Sequence, residues 1–235
     1  MGILDGKYRP DVSKLEREGN IKSLIKALRK GDDQTRWEAA RALGRKRDQS
    51  TLEPLREALA DGNSDVRSNA AIALGEMGDP QSVPDLIKTL TDDEWYVQIH
   101  AAESLGKIKD QNALEPLLNA LEDDKIRNQA AIALGMIGDE GAVLHLLAAL
   151  DEEDFSFRSA AIEALGMIGD EQALDPLIEA LQDDDVSVRR HAASALGKIG
   201  DQRAVPALKK ALEDERWYVR LQMEEALQDI QAAQK

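Results

Sequence analysis

Ala70-Ala71-Ile72-Ala73-Leu74-Gly75-Glu76-Met77-Gly78-Asp79 is the stretch from which the rest of the chain is read. It returns as Ala101-Ala102-Glu103-Ser104-Leu105-Gly106-Lys107-Ile108-Lys109-Asp110 and as Ala130-Ala131-Ile132-Ala133-Leu134-Gly135-Met136-Ile137-Gly138-Asp139. Two more copies close at Asp170 and Asp201, and a worn one, Ala39 to Asp48, precedes them all. The closing aspartates stand 31, 31, 29, 31 and 31 residues apart. A fixed period of this size means stacked supersecondary units, each burying its apolar face against the next.

Each unit holds two helical patterns. The first carries apolar residues at i, i+3, i+4 and i+7, as in Val83/Leu86/Ile87/Leu90 and Leu174/Leu177/Ile178/Leu181, which places one apolar stripe on a helix. Pro54, Pro116 and Pro176 share one phase, Pro84 and Pro206 fall one residue earlier, and His145 takes the first phase. Proline is tolerated only in a first turn, so the regular helix begins close to it. The second pattern is Val66/Ala70/Leu74/Met77 and its copies. Small Ala side chains admit a neighbouring helix, and Gly75, Gly106, Gly135, Gly166 and Gly197 recur at one phase despite a cost of about 1 kcal/mol against Ala, which predicts close approach of the adjacent unit. The Gly-Asp that follows reads as a helix stop and an N-cap for the next unit.

Asp/Asn-rich turns separate the two helices. After each comes an Arg at a fixed phase, at 36, 67, 127, 158, 189 and 220, with Gln98 as the exception. A row of Arg beside a row of turn Asp predicts an inter-repeat ladder of bidentate pairs that also holds the turn backbone. The fourth turn, Glu122-Asp123-Asp124-Lys125-Ile126, is two residues shorter, and a tighter local stack is expected there. Asp11 is the expected N-cap, and Gly19 the stop, of a short N-terminal capping helix. The last unit loses its Gly and turns polar at Glu224, Glu225, Gln228 and Asp229, which reads as a C-terminal cap.

Units of the form Asp-x-x-x-Val-Arg-x-x-Ala-Ala-x-Ala-Leu-Gly-x-Ile-Gly-Asp-x-x-Ala-x-x-Pro-Leu-Ile-x-Ala-Leu, followed closely from Asp184 to Leu212, resemble the HEAT-like repeats of the phycobilisome-lyase type. The resemblance covers residues 11–230. It implies an all-α fold: an α-solenoid, a right-handed superhelix of about six to seven antiparallel helix pairs, with second helices lining the concave surface. The expected division is a lead-in and capping helix over 1–19, one repeat array over 20–230 and a tail over 231–235. Such units serve phycobilin lyases, scaffolds, adaptors and artificial binders, so the fold leaves the function open.

Composition narrows the choice. The 235 residues carry 30 Lys+Arg and 45 Asp+Glu, a net charge of −15, and no Cys. Residues 1–47 are basic overall, with 13 Lys+Arg against 7 Asp+Glu, so the body that follows is strongly acidic and disfavours nucleic acid. The basic cluster Arg41, Arg45, Lys46 and Arg47 is expected to be a solvated part of the first repeat. No signal-peptide h-region opens the chain, and no run approaches the ~18 apolar residues of a membrane span. Gly2 lacks the Ser or Thr of a myristoylation motif, since Gly6 stands there. Absent Cys suits a reducing compartment, and a cytoplasmic monomer is expected.

What departs from the repeat is the best guide to function. Of eight aromatics, Phe157 takes the core phase of Val66 and Tyr8 lies in the lead-in. The other six, Trp37, Trp95, Tyr96, Phe155, Trp217 and Tyr218, stand at variable phases near the start of second helices. Trp95, Phe155 and Trp217 share one phase, Tyr96 and Tyr218 the next, and Trp37 falls one turn along. Neighbouring phases add Ile99, His100, Met136, Met167, Arg190 and His191. Surface Trp and Tyr anchor protein interfaces because they bury much area at low entropy cost.

A non-enzymatic scaffold or adaptor, taking a protein or peptide partner on the concave face, is therefore expected. The alternatives are a bilin-handling protein of the lyase type, its aromatics stacking a tetrapyrrole, and a designed or selected repeat binder. No catalytic residue, cofactor or metal site is read: no P-loop, GxGxxG or plausible GxSxG occurs. The resemblance to HEAT-repeat iron hydroxylases breaks because His100 and His191 precede Ala101 and Ala192, not Glu.

Overall fold

A computed structural model describes residues 8–233. The start of the lead-in, 1–7, and the end of the tail, 234–235, lie outside the described residues. Helices alone build the repeats, and the one β-type pairing among the described residues is an isolated bridge between Tyr8 and Gly31. The chain forms two compact units, Met1–Ala113 and Leu114–Lys235. The first contains α1 (Val12–Arg17), α2 (Ile21–Lys30), α3 (Asp33–Lys46), α4 (Leu52–Ala58), α5 (Ser64–Met77), α6 (Val83–Thr89) and α7 (Trp95–Ile108). The second contains α8 (Leu114–Ala120), α9 (Arg127–Ile137), α10 (Val143–Ala148), α11 (Phe155–Ile168), α12 (Leu174–Ala180), α13 (Val186–Ile199), α14 (Val205–Ala211) and α15 (Trp217–Ala232). The architecture is an all-α solenoid of helix pairs. Within each unit the second helices stack directly, α3–α5–α7 and α9–α11–α13–α15, while each first helix packs on the second helix of its own pair.

The junctions form as the Gly-Asp signal implies. Gly78, Gly138, Gly169 and Gly200 close second helices at positive φ, where a missing Cβ costs nothing. Arg47 and Lys109 take the same left-handed conformation in the two copies without that Gly. The next Asp accepts a backbone N–H two residues on: Asp79 from Gln81, Asp139 from Gly141, Asp170 from Gln172, Asp201 from Arg203. These caps start a 3-10 turn, such as Pro80–Ser82, before the first helix proper. The prolines fall at its second or third residue, where no helical hydrogen bond is lost.

In each unit the core is a column of leucines between the first and second helices. Leu24, Leu43, Leu55, Leu74 and Leu86 are fully buried in one unit, and Leu117, Leu134, Leu146, Leu165 and Leu177 in the other. Each stabilises by roughly 1.5–3 kcal/mol on burial. Between stacked second helices the spacing is set by Gly. A Cβ on Gly75 would lie 2.7 Å from Ser104 Cβ, and one on Gly166 2.6 Å from Ala195 Cβ. At Gly75 the approach is used twice, since Ser104 Oγ also donates to the Ala71 carbonyl at 2.8 Å.

The arginine ladder has the expected register. Arg36 grips Asp61 at 2.8 and 2.7 Å, Arg67 grips Asp92 at 2.6 and 2.7 Å, and Arg158 grips Asp183 at 3.0 and 2.9 Å. Arg189 donates to Asp214 at 2.6 Å. Each of these arginines also donates to a carbonyl of its own turn, as Arg67 does to Asp61 O and Arg189 to Asp183 O. Each Asp in turn accepts the N–H two residues on, so one contact fixes two successive turns. Gln98 reaches only its own turn, at Asp92 O. Arg220 holds the carbonyls of Asp214 and Glu215.

The short spacing comes out of a helix. α9 has 11 residues where α7 and α11 have 14, and Ile126, still buried at the Val66 phase, precedes it without a side-chain cap. The missing turn is the one that carries Trp95 and Tyr96 in α7. At the weakened rung beside it, Arg127 makes one bond to Asp154, 3.0 Å, and lies over the Phe157 ring at 4.7 Å.

At the N-terminal end the basic cluster has structural work. Asp11 caps α1 by accepting from Lys14 N–H, and Arg45 binds Glu16 of α1 through two 2.7 Å bonds. Those hydrogen bonds hold the Glu16 carboxyl below its ordinary range. In α15, Glu224 and Gln228 are exposed at the phases where Ala193 and Gly197 are buried, so the close-packing register ends there.

Candidate partner-binding surface

Three of the aromatics, Trp95, Phe155 and Trp217, stand where the scaffold leaves about half or more of the side chain exposed. Val97 and Val219 are fully buried at the core phase, yet two residues before them Trp95 is 55% exposed and Trp217 is 67% exposed. Phe157 is buried, and Phe155, again two residues earlier, is 49% exposed. The turn aspartates cap or brace each turn, so these side chains project from the first residue of α7, α11 and α15.

Two Trp–Tyr corners result. Trp95 and Tyr96 meet edge to face with centroids 6.0 Å apart, and Trp217 and Tyr218 repeat the arrangement at 5.8 Å. Tyr96 is half-buried and its hydroxyl reaches Asp65 at 3.4 Å, whereas Tyr218 is 41% exposed. Leu221, one turn on from Trp217, adds a further exposed apolar side chain. In the unit Leu114–Lys235 the Phe155 phase recurs at Val186 and then at Trp217, each 31 residues on. Val186, half-buried, thus belongs to the strip. Its valine side chain is not aromatic, and its place is marked by the shared phase alone.

The other expected residues divide. In the first unit, Trp37 on α3 is half-buried with the Arg41 guanidinium 5.2 Å from its ring centre. Ile99 and His100 on α7 are half-buried, and His100 Nδ1 meets Ser68 Oγ at 2.8 Å. Burial holds the His100 imidazole below its ordinary range, and the Lys107 charge adds to this against the opposing pull of Glu103. In the second unit, Met136 and Met167 are half-buried near the ends of α9 and α11, and Met167 Cε lies at the space above Gly135, so it serves the stack. Arg190 is exposed on α13 beside His191, whose Nδ1–H donates to Ser187 O at 2.7 Å. The pair lines a cavity of about 200 Å³ with Glu163, Lys198 and Gln222. The structure therefore joins Trp95 with Tyr96, Trp217 with Tyr218, and Arg190 with His191.

Among the described residues, no helix is long and apolar enough to cross a membrane. No group of three or more His, Asp or Glu among them is placed to hold a metal ion.

Known proteins bear on the fold. The family model for HEAT repeats matches residues 21–95, 83–165 and 143–228. No curated protein matches the chain. Among solved structures, the complex of CpcE and CpcF of phycocyanin lyase from Nostoc sp. PCC7120 is similar, with TM-score 0.63, 23% identity, and 98% of each chain covered. Importin beta has TM-score 0.63 and 17% identity over 93% of this chain and 36% of its own. An engineered protein has TM-score 0.56 and 23% identity over 94% of this chain and 70% of its own. The expected resemblance to the phycobilisome-lyase type is met by a solved relative in fold. With three matches tiling the array, the chain belongs to the HEAT repeat family.

Proposed function

We propose that the protein is a non-enzymatic scaffold or adaptor that binds a protein or peptide partner through the aromatic side chains at the start of its second helices. What carries this reading is the exposure of Trp95, Phe155 and Trp217 two residues from fully or nearly buried core positions. Such side chains gain about 25 cal/mol per Å² of apolar area when a partner covers them. Trp95, Tyr96, Ile99 and His100 serve in one unit, with Trp37 flanking them. Phe155, Trp217, Tyr218, Arg190 and His191 serve in the other, with Met136 and Met167 flanking. In this reading the partner lies along the second helices, the concave side of a solenoid, and the protein acts as a cytoplasmic monomer.

The test compares wild type with a Trp95→Ala/Trp217→Ala double variant in affinity capture from the native host. Because both side chains are more than half exposed, the double variant should keep its helical circular dichroism and lose less than about 0.5 kcal/mol per site. Its captured partners should be depleted. Identical partner sets would count against the reading. A shifted absorption band on adding a bilin would replace it with chromophore handling.

A further inference from the structure

The turns that precede α11, α13 and α15 carry an excess of one charge. Asp151 to Asp154, Asp183 to Asp185 and Glu213 to Glu215 supply ten carboxylates, against one cation in those turns, Arg216. Arg127, Arg158 and Arg189 pair with three of the ten, Asp154, Asp183 and Asp214. Arg220 folds back on the last turn. Seven of the ten carboxylates thus stand outside the ladder pairs, on the turns that lead directly into Phe155, Val186 and Trp217, although Asp185 also caps α13. A cavity of about 540 Å³ opens between the last two of these turns, with Leu181 and Val186 in its lining, Asp184, Glu213 and Glu215 on the acidic side, and Lys210, Arg216 and the Asp214-paired Arg189 as its cations.

This combination selects a ligand. A purely apolar partner would strip water from carboxylates and give them nothing in return, which is costly. An anionic partner meets like charge. A Lys or Arg side chain satisfies both features, because it pairs with carboxylates and is attracted to the face of Trp or Tyr within about 6 Å. Trp217 is 67% and Tyr218 41% exposed, so ring surface at this corner is open to such a cation. Stacked helices lie about 8–10 Å apart, so two steps from Phe155 to Trp217 span roughly 20 Å, the length of about six extended residues.

We propose that this edge of Leu114–Lys235 binds an extended peptide bearing lysine or arginine, its cation at the Trp217–Tyr218 corner and its apolar side chains at Phe155 and Val186. The inference rests on the partner-binding reading and names the class of partner.

Fluorescence anisotropy with the full chain tests it, using two labelled nonapeptides, one alternating Lys and Leu and one alternating Glu and Leu. The Lys peptide should bind and the Glu peptide should not, and raising salt from 50 to 300 mM should weaken binding about tenfold as screening increases. Glu213→Lys/Glu215→Lys should also weaken it about tenfold or more. Glu140→Lys/Glu171→Lys makes the same change of net charge at exposed 3-10 turns and should alter binding by less than about threefold. Equal binding of the two peptides, or equal losses in the two charge-reversed variants, would overturn the proposal. If neither peptide binds while Trp95→Ala/Trp217→Ala still loses captured partners, the cationic assignment fails and the partner-binding reading stands. If those captured partners also remain, both fail.

Discussion

Gly166→Ala is expected to destabilise the protein, although alanine is the better helix former. In an exposed helix the exchange stabilises by about 1 kcal/mol. Here the new Cβ would lie 2.6 Å from Ala195 Cβ and 2.7 Å from Ala195 Cα, and the second of these is backbone that cannot rotate away. Overpacking of this kind costs about 1–3 kcal/mol, enough to reverse the sign. Gly166→Leu forces α11 and α13 apart and should cost about 3 kcal/mol or more. Gly197→Ala sets the scale from the mild end, since its Cβ would meet Ala226 Cα at 2.9 Å and Cβ at 3.1 Å. Chemical denaturation should therefore rank Gly166→Ala below Gly197→Ala in midpoint. The reverse order would mean that the recurring glycine serves flexibility and not close approach.

Arg189→Ala should cost about 3 kcal/mol, near the lower end for breaking one side of a buried ion pair. Asp214, 8% exposed in the intact pair, loses its bonded cation, and two turn carbonyls, Asp183 O and Asp184 O, lose their donor. The pairs also make stability depend on acid. Burial alone would raise the Asp92 and Asp214 carboxyls. Hydrogen bonds from Arg67 and Arg189, the braced turn N–H groups and the guanidinium charges outweigh it and hold both below the ordinary carboxylate range. A group depressed in the folded state binds its proton more readily when unfolded. The stability it lends is thus complete above the unfolded value, about 3.9, and is lost as pH falls through the lower folded values. Midpoints should hold from neutral pH down to about 5 and fall below about 4, and Arg189→Ala should flatten that fall. An acid profile unchanged by Arg189→Ala would remove the ladder from the stability of the fold.

Much of the fold was legible because the repeat is written in residues with single physical uses. Gly-Asp marks a left-handed close and an Asp cap, and both stand where the period puts them. The fixed Arg phase gave the ladder, and the Ala and Gly phases gave the stacked second helices. The 3-10 turn before each first helix was not visible, because the pattern Asp-x-x-Ala serves a 3-10 start and an α-helical start equally. The 29-residue spacing predicts a shorter turn, but a gap between two caps does not say whether turn or helix gives up the residues. In α9 the helix did, and the aromatic phases left with it. At the surface, Trp95, Phe155 and Trp217 were found because aromatics are rare in this chain. Val186 carries no such signal, because valine is ordinary in a helix core, and Met167, half-buried at its phase, also fills the space above Gly135.

In the proposed reading the repeat supplies stability and the aromatics that depart from it supply binding. Denaturation midpoint and partner retention, measured side by side for Trp217→Ala and Gly166→Leu, test it most directly. Trp217→Ala should hold its midpoint within about 0.5 kcal/mol and lose retained partner, while Gly166→Leu should lose about 3 kcal/mol. A Trp217→Ala protein destabilised by several kcal/mol, or one that keeps its partner in full, would contradict the claim.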